Sequence, residues 1–408
     1  MAATTIRTQC CIVGGGPAGL MLAHLLARGG VSVVVLEKHG DFLRDFRGDT
    51  IHPSTLELMH ELGLLDEFLK LPHQKVDRME LQFGEERLWL ADFRHLPVQC
   101  PYIAFMPQWD FLDFLARQAA RWPGFVLRRR AEAIGLIQER GRCVGVRAIV
   151  DGAACEVRAD LVVGCDGRHS TVRGAAGLAA TALGAPMDVL WFSLPRRPED
   201  PSSVMGRFDS GRVFIAINRG DQWQLGYVVP KGGATRAKAQ GIEAIRLLVA
   251  ELAPWLADRV QGLGSVDDLK LLTVGVERLE LWWKPGVLCI GDAAHTMSPV
   301  GGIGINLAIQ DAVAAGNRLA VPLREGHVSD ADLAAIQARR SLPTRATQAL
   351  QVAIQDRVIA PALSGGSLRA PWPMRVTAAV PWLRRLPARA IGLGLRRERV
   401  LSPAVPIG

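Results

Sequence analysis

Three hydrophobic patterns alternate along this chain, and each predicts a different kind of element. Short unbroken apolar runs (Cys10 to Val13, Val31 to Leu36, Leu161 to Val163, Val287 to Ile290) read as strands covered on both faces, as in a parallel sheet. Runs of period two (Met79-Leu81-Phe83, Leu88-Leu90, Ala133 to Gln138, Val144 to Val150, Arg212 to Ile217, Gln222 to Val229) read as strands with one covered face. Helical spacing marks Leu20 to Arg28, Pro53 to Leu62, Trp109 to Trp122, Ile242 to Leu256, the stretch after Asn306, and Thr344 to Ile359. The order predicts a discontinuous α/β domain from 1–75, 107–182 and 273–345. Into it is inserted a mostly antiparallel sheet domain, 76–106 and 183–272, which roofs a pocket. A helical tail, 346–408, follows.

Glycines punctuate the buried strands at three places. Gly14-Gly15-Gly16-Pro17-Ala18-Gly19 joins the first strand to the first helix, and the next strand ends on Glu37-Lys38. This is G-x-G-x-x-G in its βαβ context, with a carboxylate roughly 20 residues on, where it accepts from ribose hydroxyls. Gly14 makes the turn, Gly16 lets a pyrophosphate approach, and Gly19 lets helix and strand pack closely. The second place is Asp166-Gly167 after Leu161 to Cys165, followed by a short helix carrying Arg173, where Asp166 is either a cap or a ligand residue. The third is Gly291-Asp292, then Pro299 to Asn306, a glycine-rich turn that opens a helix. A helix N-terminus there aims N–H groups and positive dipole at its ligand, which suits a flat ring that becomes anionic on reduction.

Composition narrows the class. The 408 residues are 49% hydrophobic and 22% charged, an ordinary globular balance. The formal charge of +8 is carried mostly by arginines scattered along the chain, which argues against nucleic acid. They cluster only between Trp372 and Val400, where seven arginines and two tryptophans accompany the single acid Glu398. Two readings are open for that tail: a packed segment whose arginines snorkel, or a peripheral contact with anionic membrane. Seven cysteines without a C-x-x-C pair argue for a reducing, cytoplasmic setting and against zinc, a disulfide framework or any metal site. No apolar window is long enough to span a bilayer.

The three glycine motifs, in this order, resemble the FAD-dependent class A monooxygenases, the p-hydroxybenzoate hydroxylase-like family, over about residues 8 to 345. The resemblance implies an α/β fold: a Rossmann-like FAD-binding domain with an inserted mostly antiparallel β-sheet substrate domain and a C-terminal helical segment. It also implies tightly bound FAD, NADPH or NADH as a transient reductant, and O2 taken up as a flavin C4a-hydroperoxide that transfers OH to an electron-rich small molecule. Matched positions implied as cofactor-binding are Gly14, Gly16, Gly19, Glu37, Lys38, Arg47, Gln108, Asp166, Gly167, Arg173, Asp292, Pro299, Gly304, Ile305 and Asn306. His52 and Asp49, beside the flavin-side loop, are candidate catalytic residues with Pro299. Trp191, Phe192, Phe214, Tyr227 and Val300 are the expected pocket wall for an aromatic or polyketide-like substrate. A flavin reductase or oxidase acting on an isoprenoid or quinol, and a non-catalytic binding protein, remain alternatives. A monomer and a homodimer are equally open.

Overall fold

The computed structural model describes residues 4–43, 50–201, 205–365 and 369–406. Its first sheet is centred on Thr4–Val13, which pairs in parallel with Ala153–Gly164 on one side and Val33–Leu36 on the other. Phe125–Arg128 and Val287–Cys289 extend the parallel core outward. The inner ends of these strands are buried throughout, which explains why their sequence is apolar without alternation. Ala131–Glu139, Arg142–Val150 and Ala153–Gly164 form an antiparallel meander on the same sheet.

The helices Pro17–Arg28 and Gly304–Glu325 pack together against this sheet. Their close approach needs Gly316, where a Cβ would lie 3.0 Å from Leu25. Both helices therefore start at one edge of the sheet, beside the carboxyl ends of Thr4–Val13 and Val287–Cys289. Ligands of open α/β sheets bind at such an edge.

The second sheet has seven strands in the order Lys270–Leu272, Met187–Pro195, Gln222–Pro230, Arg212–Asn218, Met205–Asp209, Arg78–Phe83, Glu86–Asp92. Every pairing is antiparallel except that of Met205–Asp209 with Arg78–Phe83. One face buries Leu190, Phe192, Leu194, Trp223 and Leu225 under the helix Ile242–Leu252. The other face carries Val189, Trp191, Val213 and Val228 and meets Val358 and Ile359.

The helix Asp330–Ile354 runs unbroken through residue 345, where the tail was expected to begin, and continues into a π-helical turn, Gln355–Ile359. Pro343 sits inside it without ending it. The last described residues fold back on the first domain: the Val405 N–H donates to the Arg28 carbonyl, and Asn317 bonds the backbone of Arg399, Leu401 and Ser402. Trp372 and Trp382 stay 76% and 61% exposed on the short helices between. No helix of the described residues is long and apolar enough to cross a membrane.

Candidate active site

The first glycine turn is shaped by sterics. Gly14 has φ +106°, and a Cβ there would sit 2.3 Å from the Cys165 carbonyl oxygen; one on Gly19 would sit 2.0 Å from the Gly14 oxygen. A Cβ on Gly16 would meet nothing within 4 Å, so this turn is open on its outer side. Gly16 caps Pro17–Arg28 without a side-chain hydrogen bond, and the first turn holds no acid. Its N–H groups and dipole are thus available to an anion, the arrangement a pyrophosphate needs. Glu37 accepts from the Gly15 N–H at 2.9 Å and the His39 N–H at 3.0 Å, which sets its carboxylate at the rim of the same turn.

The Asp-Gly turn lies beside it. Asp166 accepts from the Ser170 hydroxyl and from the Val172 N–H, so its local work is to start the helix Thr171–Ala175. Burial pushes its pKa up, against those hydrogen bonds. Arg173 is turned away: its guanidinium donates to the Arg168 carbonyl and lies 3.9 Å from Glu277.

The third turn is braced from behind. Gly291, at φ +59°, presents Asp292, and its N–H donates to Asp311, which also pairs with His295 at 2.6 Å and Arg340 at 2.8 Å. Asp311 and Arg340 are fully buried. Burial raises the Asp311 pKa, but His295 and then Arg340 outweigh it and hold the carboxyl below its ordinary value. Arg340 is shared with Glu398 from the tail at 3.2 Å. Further along, Gln351 accepts from the Ser298 N–H and donates to the Ser298 and Val300 carbonyls, and Gln355 donates to the Ser298 hydroxyl. Gly301 and Gly302 then turn with φ +77° and +61°, and a Cβ on Gly302 would strike Thr50 at 2.4 Å.

These turns open on one cavity of about 1360 Å³ that runs from the glycine edge to the inner face of the second sheet. Gly14, Gly16, Glu37, Lys38, Gln108, Asp166, Gly167, Asp292, Pro299, Gly304 and Ile305 all line it, as do Trp191, Phe214 and Val300. A drug-sized ligand takes roughly 300–1,000 Å³, so this space has room for a cofactor and a second molecule.

Other expected site residues lie elsewhere. Gly19 packs on the strand, in keeping with its close-packing part. Phe192 and Tyr227 belong to the core on the far face of the second sheet, because successive strand residues point to opposite sides, and Phe214, opposite Tyr227, buries its ring in that same core although it borders the cavity. The Asn306 side chain is spent on structure: it accepts from the His52 N–H and Thr55 hydroxyl and donates to the Thr50 carbonyl.

His52 is fully buried, its Nδ1 is 2.8 Å from the Ile391 carbonyl, and burial lowers its pKa to about 4. It does not line the cavity, so it is not placed to take a substrate proton. Arg47 and Asp49 fall outside the described residues. The sequence reading missed Arg168, His169 and Gln351, which do line the cavity. The glutamines 348, 351 and 355 share one helix face, a signal that could have been found.

The family described as "FAD binding domain" matches residues 7–351. Among curated relatives, the 6-methylpretetramide 4-monooxygenase of Streptomyces rimosus is 35% identical over 92% of this chain and 87% of its own length. The rifampicin monooxygenase of Streptomyces venezuelae is 32% identical over 76% of this chain, which spans 63% of that enzyme. Among solved structures, the OxyS anhydrotetracycline hydroxylase of Streptomyces rimosus superposes with a TM-score of 0.73 at 26% identity, over 95% of this chain and 76% of that one.

Proposed function

Since this chain belongs to the FAD-dependent aromatic monooxygenases of the class A flavoprotein family, we propose that its substrate is a polycyclic, polyketide-like phenol, hydroxylated with NAD(P)H and O2. One observation carries the reading: the glycine-lined edge and the apolar inner face of the second sheet share a single cavity too large for the cofactor's ring alone. Two relatives are named for acting on 6-methylpretetramide and on rifampicin, in keeping with this reading.

The residues present fit FAD. The open side of Gly16 and the uncapped start of Pro17–Arg28 suit its pyrophosphate, with Glu37 and Lys38 toward the adenosine ribose. Asp292 suits the ribityl and pyrophosphate part, and Gln108, Asp166 and Gly167 line the same channel. Pro299, Gly304 and Ile305 suit the ring, and the helix start behind them favours negative charge on its edge. When bound, this cofactor supplies the O2-activating redox chemistry that no side chain provides. The chain's own part is to bind and orient both molecules and to exclude water from the space between them. The tail and the π-helical turn wall off the far side through Val358, Ile359, Met374 and Leu383. Seven free thiols support a reducing, cytoplasmic setting.

The test is turnover of hydroxyanthraquinone and tetracyclic phenol probes under 18O2 by the FAD-loaded protein. The expected product gains one 18O atom with stimulated NAD(P)H consumption. A product oxidised or reduced without 18O would replace hydroxylation by the reductase or oxidase alternative.

A further inference from the structure

The tail helices Trp372–Ala379 and Arg385–Gly392 carry both an exposed apolar face and the outer edge of the cavity wall. A helix turns by about 100° per residue, so its sides can be read in sectors. In Arg385–Gly392, Ala388 and Gly392 face inward onto Phe93 and Leu96. Pro387 and Ile391 line the cavity, and Arg385 and Arg389 are exposed to solvent. Leu386, 58% exposed, and Ala390, also exposed, fall between the last two sectors and line the cavity as well. They stand on its rim.

The helix Trp372–Ala379 repeats the division. Met374 and Thr377 line the cavity, Trp372 and Val376 are exposed without lining it, and Pro373 between them does both. The turn Pro381–Arg384, packed against both helices, adds Trp382, exposed and off the cavity. Exposed apolar side chains gathered on one set of packed helices mark an interaction surface.

The charges beside them indicate what covers it. Arg385, Arg389, Arg396 and Arg399 are exposed and form no ion pair among the described residues. The single acid of residues 369–406, Glu398, is buried and held by Arg339 and Arg340. Exposed indoles among arginines, with no exposed acid, complement anionic headgroups over hydrocarbon: the rings settle at headgroup depth and the guanidinium groups meet phosphate. A second copy of this chain suits the face less, because a two-fold contact would set these arginines against one another.

We propose that the tail helices dock on an anionic phospholipid surface, with Trp372 and Trp382 at headgroup depth. The rim at Pro373, Leu386 and Ala390 then faces the lipid and gives the cavity an entrance from it. This docking is independent of which molecule the cavity takes.

The FAD-loaded protein is titrated with vesicles of phosphatidylcholine, with or without phosphatidylglycerol, and binding is read by co-sedimentation. Anionic vesicles should bind more than about 100-fold more tightly than neutral ones, at about fivefold for each arginine near the surface. High salt should weaken that binding. Arg385→Ala combined with Arg389→Ala should weaken it about 30-fold while leaving the melting temperature unchanged. Depth is read by quenching of tryptophan fluorescence with bromine-labelled lipid. Of the ten tryptophans only Trp372 and Trp382 are exposed, so Trp372→Leu with Trp382→Leu should abolish quenching. Adding Leu386→Trp to that double variant should restore it.

Equal binding to neutral and anionic vesicles, no binding to either, or quenching that survives the loss of both tryptophans overturns the docking surface. Docking without restored quenching in Leu386→Trp overturns the lipid-facing rim. Concentration-dependent dimers that disappear in the double tryptophan variant, with no vesicle binding, overturn the lipid and assign the face to a second copy.

Discussion

Asp311→Asn is the sharpest perturbation the site offers, because the side chain keeps its size and loses only charge and one acceptor. In the native protein one carboxylate oxygen takes Arg340 at 2.8 Å and the other takes both His295 at 2.6 Å and the Gly291 N–H at 3.2 Å. An amide presents a single acceptor, so either Arg340 or the His295–Gly291 pair must face an N–H2 group. Where the N–H2 faces Arg340, that guanidinium would retain the Glu398 carboxylate, 3.2 Å away, and the Arg396 carbonyl at 3.4 Å, and lose its partner at 0% exposure.

Breaking a buried ion pair from one side costs about 3–5 kcal/mol. At roughly 2–4 °C per kcal/mol for a large domain, the melting temperature should fall by about 10 °C. The released Gly291 turn carries Asp292, so FAD should also be lost more readily, read as the flavin-to-protein absorbance ratio after gel filtration. Asp113→Asn is the control: it breaks the half-exposed pair with Arg129, a pair of a kind worth about 0–1 kcal/mol. If Asp311→Asn melts within about 2 °C of wild type and keeps its flavin, the buried network contributes nothing beyond packing and the reasoning fails.

Glycine substitutions should separate two kinds of turn. Gly14→Ala should abolish flavin binding or folding, since its Cβ would meet the Cys165 oxygen at 2.3 Å, whereas Gly167→Ala, at φ +80° with nothing within 4 Å, should cost only about 1–2 kcal/mol and keep FAD. Acid stability should reflect His52 and His24, whose folded pKa values lie at about 4 against 6.5. The unfolded chain takes up their protons first as pH falls, so stability should drop progressively between pH 6.5 and 4. His52→Asn should flatten roughly half of that slope in pH-dependent denaturant melts. Phe192→Ala should destabilise by about 3–5 kcal/mol while leaving substrate KM unchanged, because the ring packs on the far side of the roof. A changed KM at unaltered stability would place it on the cavity instead.

The cofactor edge was legible because its signals are local. Gly14 to Gly19, Glu37, Asp166 and Asp292 each sit within a few residues of the strand end that positions them. The roof was legible as a sheet but not in phase. Val189-Leu190-Trp191-Phe192 is buried on both faces, so hydrophobicity gives no hint that Trp191 looks into the cavity and Phe192 away. His52 misled for a different reason. Its partners lie 254 residues away at Asn306 and in the tail at Ile391, and no local pattern encodes such contacts. Arg173 and Arg168 lie close in one short turn, yet Arg168 lines the cavity and Arg173 donates to the Arg168 carbonyl, a difference no local pattern encodes.

Arg340 and Gln351 belong to one continuous helix, about 16 Å apart along its axis. The first anchors the strand-end turn at Gly291 through Asp311, and the second anchors the loop at Ser298 and Val300. The same rod runs on into Val358 and Ile359 of the cavity wall. A bulkier or slimmer guest accommodated by tilting that wall would drag both moorings of the flavin cradle with it. Retailoring the chamber for new guests is therefore safest on the sheet side, where side chains can be exchanged without moving the beam.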